Sequence, residues 1–191
     1  RAGRDHRESG VVPLLRALPE GAATAAAGEL ESAVTAAGPL IAPCFEALGA
    51  LVPARGDDDR MLVDGDLRGQ PGWQAVVAAW DRLNRALRDV TGRAEAAARA
   101  VEDAAVVDQP DVLAGEIQTA ARRVDDLRAR MGELVAHADE GTIVWLTRDG
   151  KTTAMITAAP VEVGPTLWTQ LFSGRRTVVA TSATLAAAGS M

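Results

Sequence analysis

Residues 73–104 read WQAVVAAWDRLNRALRDVTGRAEAAARAVEDA, and their spacing decides the fold. Trp73, Val76, Trp80, Leu83, Leu87, Val90, Ala94, Ala97, Val101 and Ala104 step by three and four without interruption. Such a row places every apolar side chain on one face of a long helix. Beyond Asp108-Gln109-Pro110 a second row runs through Leu113, Ile117, Ala120, Val124, Leu127, Met131, Leu134 and Ala138. A proline-marked turn between two such rows predicts an antiparallel helical hairpin over about 72–139, with Leu87 and Leu127 facing inward. At ~1.5 Å per residue its arms would be roughly 50 and 40 Å long. Large residues dominate its base and alanines its turn end, so it should narrow towards the tip.

Upstream, residues 1–10 are mostly charged, and Val11 to Leu18 reads as a short helix or turn. Glu20 to Ala37 predicts an alanine-rich helix with Leu30, Val34 and Ala37 on one face, stopped at Gly38-Pro39. A separate helix over about 40–51 would align Ile41, Cys44, Phe45 and Leu48. That spacing makes the single cysteine a core residue and not a nucleophile. Asp57-Asp58-Asp59 lacks the alternation and glycine of a calcium loop and reads as a solvated acidic turn. Residues 61–71 read as irregular, broken by Gly65, Gly69 and Pro71.

Downstream, Thr142–Arg148 and Lys151–Ala158 flank Asp149-Gly150, the signature of a β-hairpin with a two-residue turn. Gly150-Lys151-Thr152 is then a turn and not a phosphate loop, because position 145 holds Trp where that motif needs glycine. Pro165–Phe172 predicts a short helix, and the uncharged run at 177–181 a buried strand. Strand, helix, strand over Thr153–Thr181 would set 153–158 and 177–181 parallel in one sheet. The fold class is therefore α+β, mainly α: a long antiparallel hairpin rooted on a small sheet made of a β-hairpin plus one parallel strand. A helical domain spans 1–140 and a sheet-containing segment 141–191.

Composition narrows the function. The net charge of −6 argues against bulk coating of nucleic acid. One cysteine excludes an internal disulfide, and any cluster needing several thiolates. With 48% hydrophobic residues and no signal peptide or membrane-length run in this reading, a cytoplasmic monomer without a membrane partner is expected. All basic residues but Lys151 are arginine, which with the abundant Ala and Gly points to a GC-rich bacterial coding sequence. Local arginine groups remain candidates for phosphate contact: Arg82, Arg85 and Arg88 on the first long helix, Arg122, Arg123, Arg128 and Arg130 on the second, and Arg175-Arg176 before the strand. Trp145 and Trp168 could stack on bases, although so few aromatics favour a place in the core.

The run Thr181-Ser182-Ala183-Thr184-Leu185 after an apolar strand resembles the Ser-Ala-Thr motif of superfamily 2 helicases, in the form used by DinG-type and XPD-like DNA helicases. Ala159-Pro160-Val161-Glu162-Val163, Leu167, Leu171-Phe172 and Arg175-Arg176 extend the likeness. It is specific over Ile143–Met191 and loose over the first 140 residues. The resemblance implies a helical arch inserted into a motor domain, followed by the chain's return to that motor. It implies that Ser182, Ala183 and Thr184, flanked by Thr181 and Leu185, couple ATP hydrolysis to movement on single-stranded DNA. ATP and Mg would belong to the parent protein, with neither bound by this stretch alone. Many such helicases carry a four-cysteine iron–sulfur cluster; one cysteine cannot hold it, so the likeness is to the branch without a cluster. A different class also fits the hairpin: a non-catalytic coiled-coil module that binds a partner protein.

Overall fold

In a computed structural model, residues 21–53, 60–104, 109–136, 141–149, 153–175, 177 and 179 are described. The elements in chain order are α1 (Ala22–Leu51), β1 (Arg60–Leu62), α2 (Gly65–Arg68), α3 (Pro71–Glu102), α4 (Pro110–Ala136), β2 (Thr142–Asp149), β3 (Thr153–Pro160) and α5 (Gly164–Leu167), the last continued by a π-helical turn at Trp168–Phe172. The fold is mainly helical with a small sheet, as the periodicities require.

Helices α3 and α4 form the expected antiparallel hairpin. Near its base Arg128 donates to Asn84 at 3.3 Å, and towards its turn Gln118 donates to Glu102 at 3.2 Å. Pro110 opens α4, where the N–H it lacks has no helical partner to lose. The α3 row is buried as read: Trp73, Val76, Trp80, Leu83, Val90, Ala94, Ala97 and Val101 are all in the core.

The α4 row is rotated by about one position. Ala114, Ile117, Ala121 and Val135 are buried, while Ala120 is exposed and Leu127 is 57% exposed. Bulk opposite explains the rotation. Gly132 lies against the Trp80 ring, where a Cβ would stand 4.0 Å from Cζ2, so the helix turns its smallest residue to the largest side chain of α3. The expectation that Leu127 faces inward is therefore wrong.

The second difference concerns residues 20–51. Ala22–Leu51 form one continuous helix, α1, through Pro39 and Pro43, instead of two helices separated at Gly38-Pro39. Each proline forfeits a backbone hydrogen bond, which costs about 3 kcal/mol in a helix interior. Both are exposed, and burial on either side of them keeps the helix intact: Ala23, Ala27, Leu30, Ala33 and Ala37 before, Cys44 and Leu48 after. Val34, Ile41 and Phe45 do not join this row and stay exposed at 41%, 46% and 36%. α1 lies antiparallel along α3, so the hairpin is two arms of a three-helix assembly with α3 in the middle. By length and mean hydropathy α1 is also long enough and apolar enough to cross a membrane, contrary to the reading of composition; its alanine row is packed against α3.

The sheet closes the base. Its order is β1-β2-β3, all antiparallel. The third described strand is thus Arg60–Leu62, read as loop and irregular chain from sequence; of the run 177–181 expected as a parallel strand, residues 178, 180 and 181 lie outside the described residues. Thr177 and Val179 are outside any strand, and Val179 is 83% exposed. Asp149 pairs with Thr153, so residues 150–152 separate the strands and the two-residue Asp149-Gly150 turn does not form. Parity decides this. A two-residue turn would change the pairing by an odd number and move one strand's apolar set to the opposite face. The observed register sets Leu146 beside Ile156 and Val144 beside Ala158, with Val144, Leu146 and Ala154 buried under the helices.

Val101→Asp places an unpaired carboxylate at a fully buried site and should cost several kcal/mol. Leu127→Asp should stay within about 1 kcal/mol. Urea midpoints in the opposite order would overturn the α4 assignment. Burial raises the Cys44 thiol above its ordinary value of 9.0. Its folded pKa lies above the unfolded one, so the stability from the neutral thiol is complete below that ordinary value and lost as pH rises through the folded value. Cys44→Ala should flatten the alkaline fall in stability, read by urea midpoints across that range.

Candidate nucleic-acid interface

Arginines on this bundle fall into two groups by what their guanidinium groups touch. One group is committed to holding the fold. Asp64 caps α2 by accepting from the Leu67 amide at 2.8 Å, which fixes the turn that carries Arg68. Arg68 donates at 2.8 Å to the carbonyls of both Leu134 and Val135, and its Cζ lies 4.8 Å from the centre of the Trp73 ring. Partial burial lowers its pKa. Arg148 donates at 2.8 Å to the Gly49 carbonyl and ties β2 to α1. Arg128 bridges Asp125 at 3.0 Å while reaching Asn84. Arg93 pairs with Glu29 across α1 and α3 and with Asp89 one turn back; these hydrogen bonds raise its pKa, Glu29 first.

The second group has no acidic partner among the described residues. Arg85, Arg88 and Arg123 are exposed, Arg82 donates to the Ala78 carbonyl at 3.1 Å, and Arg122 donates to Thr119 Oγ1 at 3.0 Å. Helical geometry sorts them further. At 100° per residue, Arg88 and Arg99 lie within about 20° of each other on α3. Arg99 and Arg122 then face one another across a crevice of about 340 Å³ between α3 and α4, lined also by Glu95, Gln118, Ala121 and Asp125. Asp125 is occupied by Arg128 there, whereas Glu95 stands opposite with no cation within bridging distance among the described residues. Arg123 points from the other flank of α4, so the predicted set does not form one patch.

Of the arginines singled out in the sequence, only Arg122 lines this crevice; Arg88 stands three turns from Arg99 on the same face of α3, and Arg82 and Arg123 also lie apart from it. Sequence reading missed Arg99 and Gln118. The signal for Arg99 was available: it follows Arg88 by eleven residues, three helical turns along one face. Arg175 is exposed at the end of the α5 segment. Trp168 is 64% exposed and meets Phe172 edge-on with ring centres 6.4 Å apart, so it is not a core residue. Trp145 is half-buried on the sheet face away from the helices.

Thr181, Ser182, Ala183, Thr184, Leu185 and Arg176 lie outside the described residues, as do Asp57-Asp58-Asp59 and Gly150-Lys151-Thr152. No group of three His, Cys, Asp or Glu suited to a metal ion occurs among the described residues. Comparison with protein-family models, with curated proteins and with solved structures gives no match.

If the crevice contacts phosphates, Arg99→Ala and Arg122→Ala should each weaken binding of a fluorescent oligothymidylate. Each should also lower the slope of log K against log salt by about 0.7. Arg93→Ala, whose guanidinium is already paired, should leave the slope unchanged. Equal slopes in all three variants would remove the crevice from consideration.

Proposed function

We propose that this chain is part of an ATP-dependent DNA helicase of the DinG-type, XPD-like class without an iron–sulfur cluster. In this reading residues 1–140 form the arch that guides single-stranded DNA, and residues 141–191 belong to the first motor domain. The observation that carries it is the sequence Thr181-Ser182-Ala183-Thr184-Leu185, preceded by Ala159-Pro160-Val161-Glu162-Val163. The architecture is compatible with it in a specific way. A stiff helical assembly stands on a small sheet, and the chain leaves that sheet through β3 towards the motif-bearing segment. An arch needs reach without bending, and close-packed helices supply that.

In the parent protein, Ser182 and Thr184 would exchange hydrogen-bond partners between the nucleotide-bound and free states. Small hydroxyls do this at low steric cost. Ala183 between them leaves room for close approach of the neighbouring segment. ATP and Mg would be held elsewhere in the parent, and single-stranded DNA would run past the uncommitted arginines. A second reading, a non-catalytic module that docks a partner protein, is favoured by one observation. Val112, Leu127, Val34 and Ile41 are all more than two-fifths exposed along the helices.

Replacing Ser182 and Thr184 together by Ala in the parent protein should leave much of the DNA-stimulated ATPase while abolishing most strand separation. Both activities are to be measured on one preparation whose circular dichroism matches the wild type. Equal loss of both would make the motif a structural cap. Unimpaired unwinding would remove it from the mechanism. A parent reading frame lacking a phosphate loop and an acidic box upstream of Arg1 would end the helicase reading.

A further inference from the structure

Among the described residues, no strand pairs with the outer edge of β3. Two hydrogen bonds fix which backbone groups point there. Val161 N–H donates to Gly141 C=O at 2.8 Å, and these residues are opposite in the β2–β3 register. Bonded pairs in an antiparallel ladder alternate. The odd-numbered residues of β3 therefore bond to β2, and Ala154, Ile156 and Ala158 direct their N–H and C=O groups outward. The other side of β2 checks this: Val63 N–H donates to Val144 C=O at 2.9 Å, so the even-numbered residues of β2 serve β1. Among the described residues, nothing bonds the outward groups of Ala154, Ile156 and Ala158.

Edge strands of stable proteins are usually protected by Lys, by proline, by a bulge or by shortness. β3 has none of these before its last residue: Thr-Ala-Met-Ile-Thr-Ala-Ala-Pro is eight residues long and uncharged. The face away from the helices is apolar as well, with Leu62 56%, Ile143 47% and Met155 52% exposed around Trp145.

We propose that β3 pairs along this edge with β3 of a second copy, antiparallel, about a twofold axis through Ile156. The strand is self-complementary in that register. Ile156 faces Ile156 of the other copy, and Ala154 faces Ala158, so outward donors meet outward acceptors in about six hydrogen bonds. No like charges oppose each other anywhere in the ladder, because β3 carries none. On the outer face Met155 sits beside Thr157 of the other copy, joining two apolar surfaces into one. The contact departs from the monomer expected from composition. It is small for a protein interface, which places its affinity in the micromolar range. A net charge of −6 on each copy opposes it, so added salt should strengthen the dimer.

Sedimentation equilibrium of the chain between about 5 and 500 µM, at low and at moderate salt, tests the proposal together with amide exchange read by NMR. A concentration-dependent dimer is expected, tighter in salt, in which the amides of Ala154, Ile156 and Ala158 become protected only at high concentration. The odd-numbered β3 amides should be protected throughout and report that the sheet is intact. Ala158→Pro removes an outward N–H at an exposed position and should shift dimerisation at least tenfold weaker while the odd-numbered amides stay protected. A monomer at every concentration would overturn the proposal. So would a dimer whose even-numbered β3 amides exchange freely, since that dimer would use another surface such as the exposed row on α4.

Discussion

Close approach between α1 and α3 is the contact on which the rest of the molecule depends. It is built mostly of methyl groups: Ala23, Ala27, Ala33 and Ala37 on one helix meet Ala94, Ala97 and Ala98 on the other, with Leu30, Val90 and Val101 filling between. Alanine loses no side-chain entropy on burial, so each contact is cheap to order even though each buries little area. The gain is proximity, because small side chains let backbones approach and multiply dispersion contacts along the full length. This is why a chain with 3% aromatic residues sustains long helices. Near the sheet the recipe changes. Trp73, Trp80, Leu83, Leu48 and Leu67 fill a wider space between helices and strands.

That change of residue size organises the base. The sheet packs against α1, which lies over β3 closely enough that a Cβ on Gly49 would stand 3.5 Å from the Ala154 Cβ. At Gly72 the constraint is tighter, since a Cβ there would meet Leu51 Cδ2 at 2.7 Å. Both glycines sit where an element enters or leaves the base.

Much of the helical part was legible because repeats of three and four residues survive in any context. The α3 row was correct at nearly every position, since that helix is covered from two sides. The α4 row was less legible because one-sided packing tolerates a rotation, and the deciding contact, Gly132 against Trp80, joins residues 52 positions apart. Prolines misled for a related reason. Pro39 and Pro43 break helices when local energies decide, and here long-range burial outweighs them. The hairpin turn was misread because turn chemistry alone cannot see which strand face is buried. β1, three residues long, has no periodicity to detect. For the candidate interface, spacing identified most of the exposed arginines. It could not separate Arg128, which holds helices together, from Arg122, which faces a crevice, and it passed over Arg99.

Arg68 gives the assembly a mechanical property. Its guanidinium is wedged between the last carbonyls of α4 and the ring of Trp73 at the foot of α3, which locks both arms of the hairpin to the same short turn. Sliding one arm past the other at the base would break these contacts. For a helix of 32 residues, a tilt of about 5° at the foot carries the far end through roughly 4 Å.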